Sequence, residues 1–115
     1  MATIYHITNR DLWRRSIPRG QYTPESLRAE GFIHCSSIEQ VLGVANARFT
    51  GQDGLVLLSI DTSDVMSVIQ YDNAPGTGES YPHIYGPLNH DAVKAVIDFP
   101  PSADGSFVLP DELQN

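Results

Sequence analysis

Gly31-Phe32-Ile33-His34-Cys35-Ser36 is the segment around which the rest of the chain can be interpreted, because it places a turn glycine, two large apolar residues and three reactive side chains in six positions. In an extended strand, successive side chains point to opposite faces. The even-numbered residues, Phe32, His34 and Ser36, would then share one face, and the odd-numbered residues the other. We expect the odd face to be buried core and the even face to line a site.

On both sides of this segment the sequence reads as short strands and short helices. Residues 3–8 read as a first strand, and Asn9 can cap a short helix that follows it. Pro24 suits the first turn of a second helix, and Gly31 suits its end. The periodicity of residues 37–49 predicts a helix of about twelve residues that begins just after Ser36, so its free N–H groups would lie beside the site.

The second half of the chain predicts more strands. Residues 55–60 are almost entirely apolar, as expected for a strand buried on both faces in the middle of a sheet. Strands are also predicted at 65–71, from Val93 to Phe99 and at 106–109. The polar, glycine-rich residues 72–80 predict a loop long enough to cover a site as a flap. Pro82 predicts that residues 81–85 form an edge strand or an entry loop.

Length and composition favour one domain over residues 1–115, with a charged fraction of 18% and one cysteine. No apolar run approaches a membrane span, no signal peptide is recognisable, and one cysteine cannot form an internal disulfide, so we expect a cytoplasmic protein. The net charge of -7 argues against broad nucleic-acid binding. Residues 1–30 nevertheless carry five arginines against three acids, so a local phosphate-binding patch is an open alternative to ordinary solvated arginines.

Three of the four histidines, His6, His34 and His83, lie in segments that read as extended. If they converge, they form a cleft with hydroxyl and aromatic neighbours; these further ligand-binding candidates are Thr8, Phe32, Ser36, Tyr81 and Tyr85. Aromatic rings offer stacking surfaces, and imidazoles and hydroxyls bind polar edges, so the expected ligand is a small molecule of the nucleotide type. Any one histidine alone is more simply an imidazole satisfied by the backbone or by water.

Two rival chemistries are less favoured by the sequence. The histidine spacings match no HxxxH or CxxC pattern, so we expect no metal site, and a histidine-rich zinc site is the weaker alternative. His34 and Cys35 should face opposite ways on a strand, which disfavours a Cys–His nucleophile and makes Cys35 a small buried apolar residue.

The chain resembles the small bacterial family called domain of unknown function 952. The resemblance rests on Ile4-Tyr5-His6, on Gly20-Gln21-Tyr22, on residues 31–36, and on Pro82-His83-Ile84-Tyr85-Gly86-Pro87-Leu88, and it covers nearly the whole chain. It implies an α+β fold similar to that of the ADP-ribosyltransferases and RNA 2'-phosphotransferases, which has a split, curved, mainly antiparallel sheet with short helices and binds NAD in a cleft.

The same resemblance implies a possible transferase that acts on NAD or a phosphorylated nucleotide. His6 matches the first-strand residue that holds NAD, and His34 and Ser36 match the second motif. The third motif usually supplies a glutamate. The nearest acid here is Glu79, and His83 or Tyr85 could take its place. The catalytic candidates are therefore His6, His34 and His83, and the alternative is a non-catalytic module that binds a small ligand or a protein.

Overall fold

The computed structural model describes residues 2–114 and contains three small antiparallel sheets connected by short helices. The strands are β1 (Thr3–Asn9), β2 (Gln21–Tyr22), β3 (Ile33–His34), β4 (Leu55–Asp61), β5 (Val68–Ala74), β6 (Glu79–Tyr85), β7 (Leu88–Asn89) and β8 (Val93–Asp98). The α-helices are α1 (Arg10–Ser16), α2 (Glu25–Glu30) and α3 (Val41–Arg48), and 3-10 turns cover Ile17–Arg19, Thr62–Asp64, His90–Ala92 and Asp111–Leu113. The sheets have the orders β1-β4-β8, β2-β7 and β3-β6-β5. The predicted α+β class is confirmed.

Strand β4 is the centre of the largest sheet, as its apolar sequence predicts. Val56, Leu58 and Ile60 face one apolar cluster with Trp13, and Leu55 and Leu57 face a second. All five are at most 2% exposed. The sheet therefore has hydrophobic core on both faces, which explains why the run lacks polar alternation.

The segment 31–36 joins two of the sheets. Gly31 ends α2 in the left-handed conformation, which a glycine adopts without steric cost. Ile33 and His34 then pair with β6, whereas Ser36 exchanges both backbone hydrogen bonds, each 2.8 Å, with Tyr5 on β1. The chain crosses from one sheet to the next within four residues.

Pro82 accounts for the shortness of β3. The N–H of Cys35 donates to the carbonyl of Pro82 at 3.0 Å, but Pro82 has no N–H to return the bond. The ladder between β3 and β6 therefore weakens just after His34, and the chain is free to turn towards Tyr5. The prediction that Pro82 marks an edge strand or an entry loop is wrong, because β6 lies between β3 and β5.

Three other predictions need correction. Residues 72–80 form no flap, because Asp72 to Ala74 belong to β5 and pair with β6 around a tight turn at 75–78. Helix α3 has eight residues rather than twelve and begins at Val41, after a turn in which Gln40 accepts a hydrogen bond from the N–H of Ser37. No strand forms at 106–109, since Asn46 binds both backbone groups of the buried Phe107.

Among residues 2–114, no helix is long and apolar enough to cross a membrane.

Candidate functional site

Four of the predicted site residues come together on the outer face of the sheet β3-β6-β5. The ring of Phe32 stacks on that of His83 with centroids 4.0 Å apart and an angle of 15° between their planes. Tyr85 lies 5.3 Å from Phe32, and the rings of His34 and His83 are 5.3 Å apart in an edge-to-face arrangement. We call these residues together with Asp72 the histidine surface.

Strand register explains this convergence. His34 lies directly opposite His83 in the β3–β6 pair, and residues directly opposite in an antiparallel ladder share a face. On the same strand, Tyr85 follows His83 by two residues and therefore points the same way. The intervening residue, Ile84, points to the core and is fully buried. Alternate residues of β6 thus face the histidine surface and the core.

Asp72 organises one side of the histidine surface. Its Oδ2 atom accepts hydrogen bonds from Nδ1 of His83 at 2.7 Å and from the hydroxyl of Tyr85, and its Oδ1 atom accepts from Gln70 at 2.7 Å. The bond from Tyr85, followed by that from Gln70, holds the pKa of the Asp72 carboxyl below its usual value. The bond to Asp72 in turn raises the pKa of Tyr85.

This contact fixes the tautomer of His83. A carboxylate can only accept, so Nδ1 of His83 carries a proton. In the neutral imidazole Nε2 is then the unprotonated nitrogen, able to accept a proton. A histidine oriented by a carboxylate in this way has the arrangement of a general base, although only 14% of the His83 side chain is exposed.

His34 has a different carboxylate partner. Its Nε2 atom lies 2.8 Å from Oε2 of Glu30, the last residue of α2, and its side chain is 51% exposed. Its Nδ1 atom is thus the ring nitrogen left for another partner. The histidine surface is open to solvent on this side and closed around His83.

His6 does not join this surface, so the prediction that three histidine rings form one cleft is wrong. Its Nδ1 atom contacts the backbone carbonyl oxygen of His34 at 2.5 Å, and its Nε2 atom lies 2.8 Å from the hydroxyl of Tyr22. Only 7% of His6 is exposed, and burial lowers its pKa from 6.5 to about 4. Strand β1 directs His6 inwards, on the face that carries Ile4, and thus places it behind the site.

The other three candidates lie apart from the rings. Thr8 is buried, and its Oγ1 atom is 2.7 Å from the hydroxyl of Tyr22. Ser36 is 5% exposed at the bridge to Tyr5, where the chain has already left the β3–β6 ladder. Tyr81 is half-buried and lies opposite Asp72, on the face of the histidine surface but two residue pairs from His83.

Cys35 is a buried core residue, as predicted from strand alternation. It is 4% exposed and packs with Ile33 and Ile84, and burial raises the pKa of its thiol. No group of three or more His, Cys, Asp or Glu side chains within residues 2–114 could hold a metal ion. The absence of a metal cofactor in the working protein stays a prediction.

Sequence reasoning missed Asp72 and Glu30. The four-residue spacing of Glu30 and His34 was no signal, because the helix ends before Gly31 and His34 lies on the strand that follows. Asp72 gave no signal either, since its place beside His83 depends on the hairpin register, and residues 72–80 read as a loop. Glu79, the acid considered for the third motif, instead accepts a hydrogen bond from Gln40 at 2.9 Å.

A family model described as protein of unknown function (DUF952) matches residues 7–96, which include the end of β1, all of β2 to β7, the start of β8 and every member of the histidine surface. The chain belongs to this family. No curated protein matches the sequence.

Two solved structures are similar to this DUF952 chain in both sequence and fold. The crystal structure of protein CC0527 from Caulobacter crescentus is 34% identical, with a TM-score of 0.85 over 96% of this chain and 97% of that one. Its solution NMR structure is 33% identical, with a TM-score of 0.82 over 97% of each chain. The likeness therefore spans the whole fold and is independent of the experimental method.

Proposed function

We propose that the histidine surface binds a nucleotide-type small molecule, with NAD as the leading candidate. The observation that carries the proposal is the stack of Phe32 on His83 beside Tyr85, in which aromatic rings alternate with polar groups. Such a surface can hold a flat heteroaromatic ring through its faces and hydrogen-bond its polar edges.

The charge of the surface defines which part of the nucleotide it holds. Asp72 and Glu30 both contribute carboxylates here, and each is paired with a histidine. Carboxylates repel phosphate groups but accept hydrogen bonds from hydroxyl and amide donors. We therefore assign the base and ribose of the ligand to this surface and its phosphates to solvent or to a more basic part of the chain.

In the catalytic form of the proposal, His83 is the general base of a transferase related to the ADP-ribosyltransferases. Asp72 orients His83 and stabilises its protonated form, and His34 hydrogen-bonds the ribose through Nδ1. The mainly antiparallel sheets and short helices are compatible with that relationship. A cytoplasmic location, suggested by the single buried cysteine, belongs to the same proposal.

The second candidate is a non-catalytic module that binds a similar ligand without turning it over. Its support is that Glu79, Glu30 and Asp72 are all engaged by hydrogen bonds within the protein. A glutamate that activates an acceptor needs a free carboxylate oxygen aimed at the ligand.

Calorimetric titration with NAD, ADP-ribose and nicotinamide tests the binding proposal, preceded by a thermal-shift screen. A ligand at 100 times its Kd should add about 2.7 kcal/mol to the free energy of unfolding. The variants Phe32→Ala and His83→Gln should weaken NAD binding at least tenfold, because they remove the stacked pair.

Tyr71→Phe and Tyr85→Phe make a matched comparison. Both tyrosines lie on the hairpin, but Tyr71 lies opposite Pro82 and so belongs to the other face, where it is 56% exposed. Tyr85→Phe should weaken binding and Tyr71→Phe should not. Equal affinities for the two variants, or no binding of any of the three ligands by the wild type, would refute the assignment. If the wild type turns over NAD and His83→Gln does not, the protein is an enzyme and not a non-catalytic module.

A further inference from the structure

The imidazole of His6 connects all three sheets of the fold. His6 belongs to β1, its Nε2 atom contacts Tyr22 on β2, and its Nδ1 atom contacts the carbonyl oxygen of His34 on β3. Both contacts are buried or partly buried, at 2.8 Å and 2.5 Å. No backbone pairing connects β2 directly to β3, so a side chain supplies this link.

The proton positions along this link follow from the groups themselves. The carbonyl oxygen of His34 can only accept, so Nδ1 of His6 carries a proton and donates it. Burial lowers the pKa of His6, so the ring is neutral and Nε2 accepts from the hydroxyl of Tyr22. The hydroxyl of Tyr22 also lies 2.7 Å from Oγ1 of Thr8, so Thr8 holds Tyr22 from its other side.

We infer that Tyr22 and His6 are positioning residues for the histidine surface: Thr8 and Tyr22 fix the ring of His6, and His6 fixes the peptide that carries His34. Neither contacts a side chain of the histidine surface, because His6 reaches only the backbone carbonyl of His34 and the Tyr22 hydroxyl reaches only His6 and Thr8. His34 is held on β3 by a ladder only two residues long, which Pro82 interrupts at the next pair. The bond from His6 compensates for this short ladder at the residue that faces the ligand.

A rival explanation is that the three groups satisfy one another's hydrogen bonds and contribute only stability. The two explanations differ in what a variant changes at temperatures far below its unfolding midpoint. A purely structural role lowers the midpoint and leaves the folded site unaltered. A positioning role changes the environment of His34 while the protein is still folded.

The experiment compares Tyr22→Phe with the control Tyr71→Phe, each of which removes one hydroxyl. The readouts are the NMR signals of the His34 amide and ring, and the affinity for NAD. Tyr22→Phe should shift or double the His34 signals and weaken NAD binding about tenfold, because the buried Nε2 loses its partner and the ring of His6 is released. Tyr71→Phe should leave both readouts at their wild-type values.

A second pair of variants tests the bond to the carbonyl. The amide of His6→Asn can donate near the position of Nδ1, whereas His6→Leu has no donor. Asparagine should therefore restore the His34 signals in part and leucine should not. The inference is overturned if folded Tyr22→Phe has the His34 signals of the wild type, or if His6→Asn and His6→Leu change those signals equally.

The effect on affinity rests on the proposed function, but the NMR readout does not. If wild-type protein fails to bind NAD, the proposed function fails and the His34 signals alone decide this inference. If Tyr22→Phe does not fold, Thr8→Val replaces it. That substitution removes only the hydroxyl most distant from His34, and unchanged His34 signals would again overturn the inference.

Discussion

The buried imidazole of His6 connects β1 to β2 and β3 through its two ring nitrogens. Its two ring nitrogens contact Tyr22 and the His34 carbonyl, and it remains neutral because burial disfavours the charged form. In the unfolded chain the same group has a pKa near 6.5. The difference couples the stability of the protein to pH.

The free energy of unfolding should fall as the pH falls from about 6.5 to about 4. In that window the unfolded chain binds a proton at His6 and the folded protein does not, so protonation favours unfolding; above pH 6.5 the effect is absent. The loss attributable to His6 amounts to about 3 kcal/mol. Urea unfolding of wild type and His6→Asn at pH 7, 5.5 and 4.5 measures it. The two proteins should approach each other in stability as the pH falls, and parallel pH profiles would contradict the assignment.

At the level of elements, the hairpin β5–β6 supports the site. It contributes Asp72, His83 and Tyr85, and its register determines that they meet. Gly86 follows β6 at once, where a Cβ atom would lie 2.5 Å from Oγ and 3.0 Å from Cβ of Ser67. Ser67 itself donates to the carbonyl of Pro87 at 2.7 Å, so the end of β6 passes too close to the start of β5 for any side chain.

Gly86→Ala should therefore destabilise the protein by about 1–3 kcal/mol, because the new methyl group displaces Ser67 and breaks its hydrogen bond. Gly43→Ala is the matched control. Gly43 is exposed in the middle of α3, with open space at its Cβ position, so alanine should stabilise the helix by about 0.5–1 kcal/mol. Chemical denaturation measures both. An unchanged midpoint for Gly86→Ala would show that β5 and β6 can separate at this end.

Much of the fold follows from patterns within single elements. The strands at β1, β4 and β8, the Asn9 cap and the Gly31 helix end each have a local cause, namely apolar content, a side-chain acceptor or a left-handed backbone. Ile33 and Cys35 were assigned to the core by alternation alone, and they lie there. Residues within one strand can thus be assigned to a face without the tertiary structure.

The predictions were wrong where a residue's position depends on contact between two segments that are distant in the sequence. The sequence of residues 72–80 is polar enough for a loop, but pairing with β6 overrides that preference and moves Asp72 beside His83. Histidine is a common ligand-binding residue, but the Nε2 atom of His6 is already occupied by the hydroxyl of Tyr22, sixteen positions later in the chain. Neither partnership has a signature in the sequence, since it depends on register and on the packing of one sheet against another.

At the scale of the whole molecule, the three sheets meet along the segment 31–36. One end of this segment pairs with β6, the other with β1, and the side chain of Tyr22 reaches it through His6. The histidine surface thus lies on the solvent side of this segment, and the buried contacts of His6, Tyr22 and Thr8 lie on its inner side.

The most direct test is an NMR titration of isotope-labelled protein with NAD, following the side-chain signals of all four histidines. His34 and His83 should shift together and saturate with one affinity, because both face the ligand. His90, which packs against Trp13 and contacts Ser16, should not move. Shifts confined to His90, or no shift at saturating NAD, would contradict the assignment of the histidine surface as the binding site.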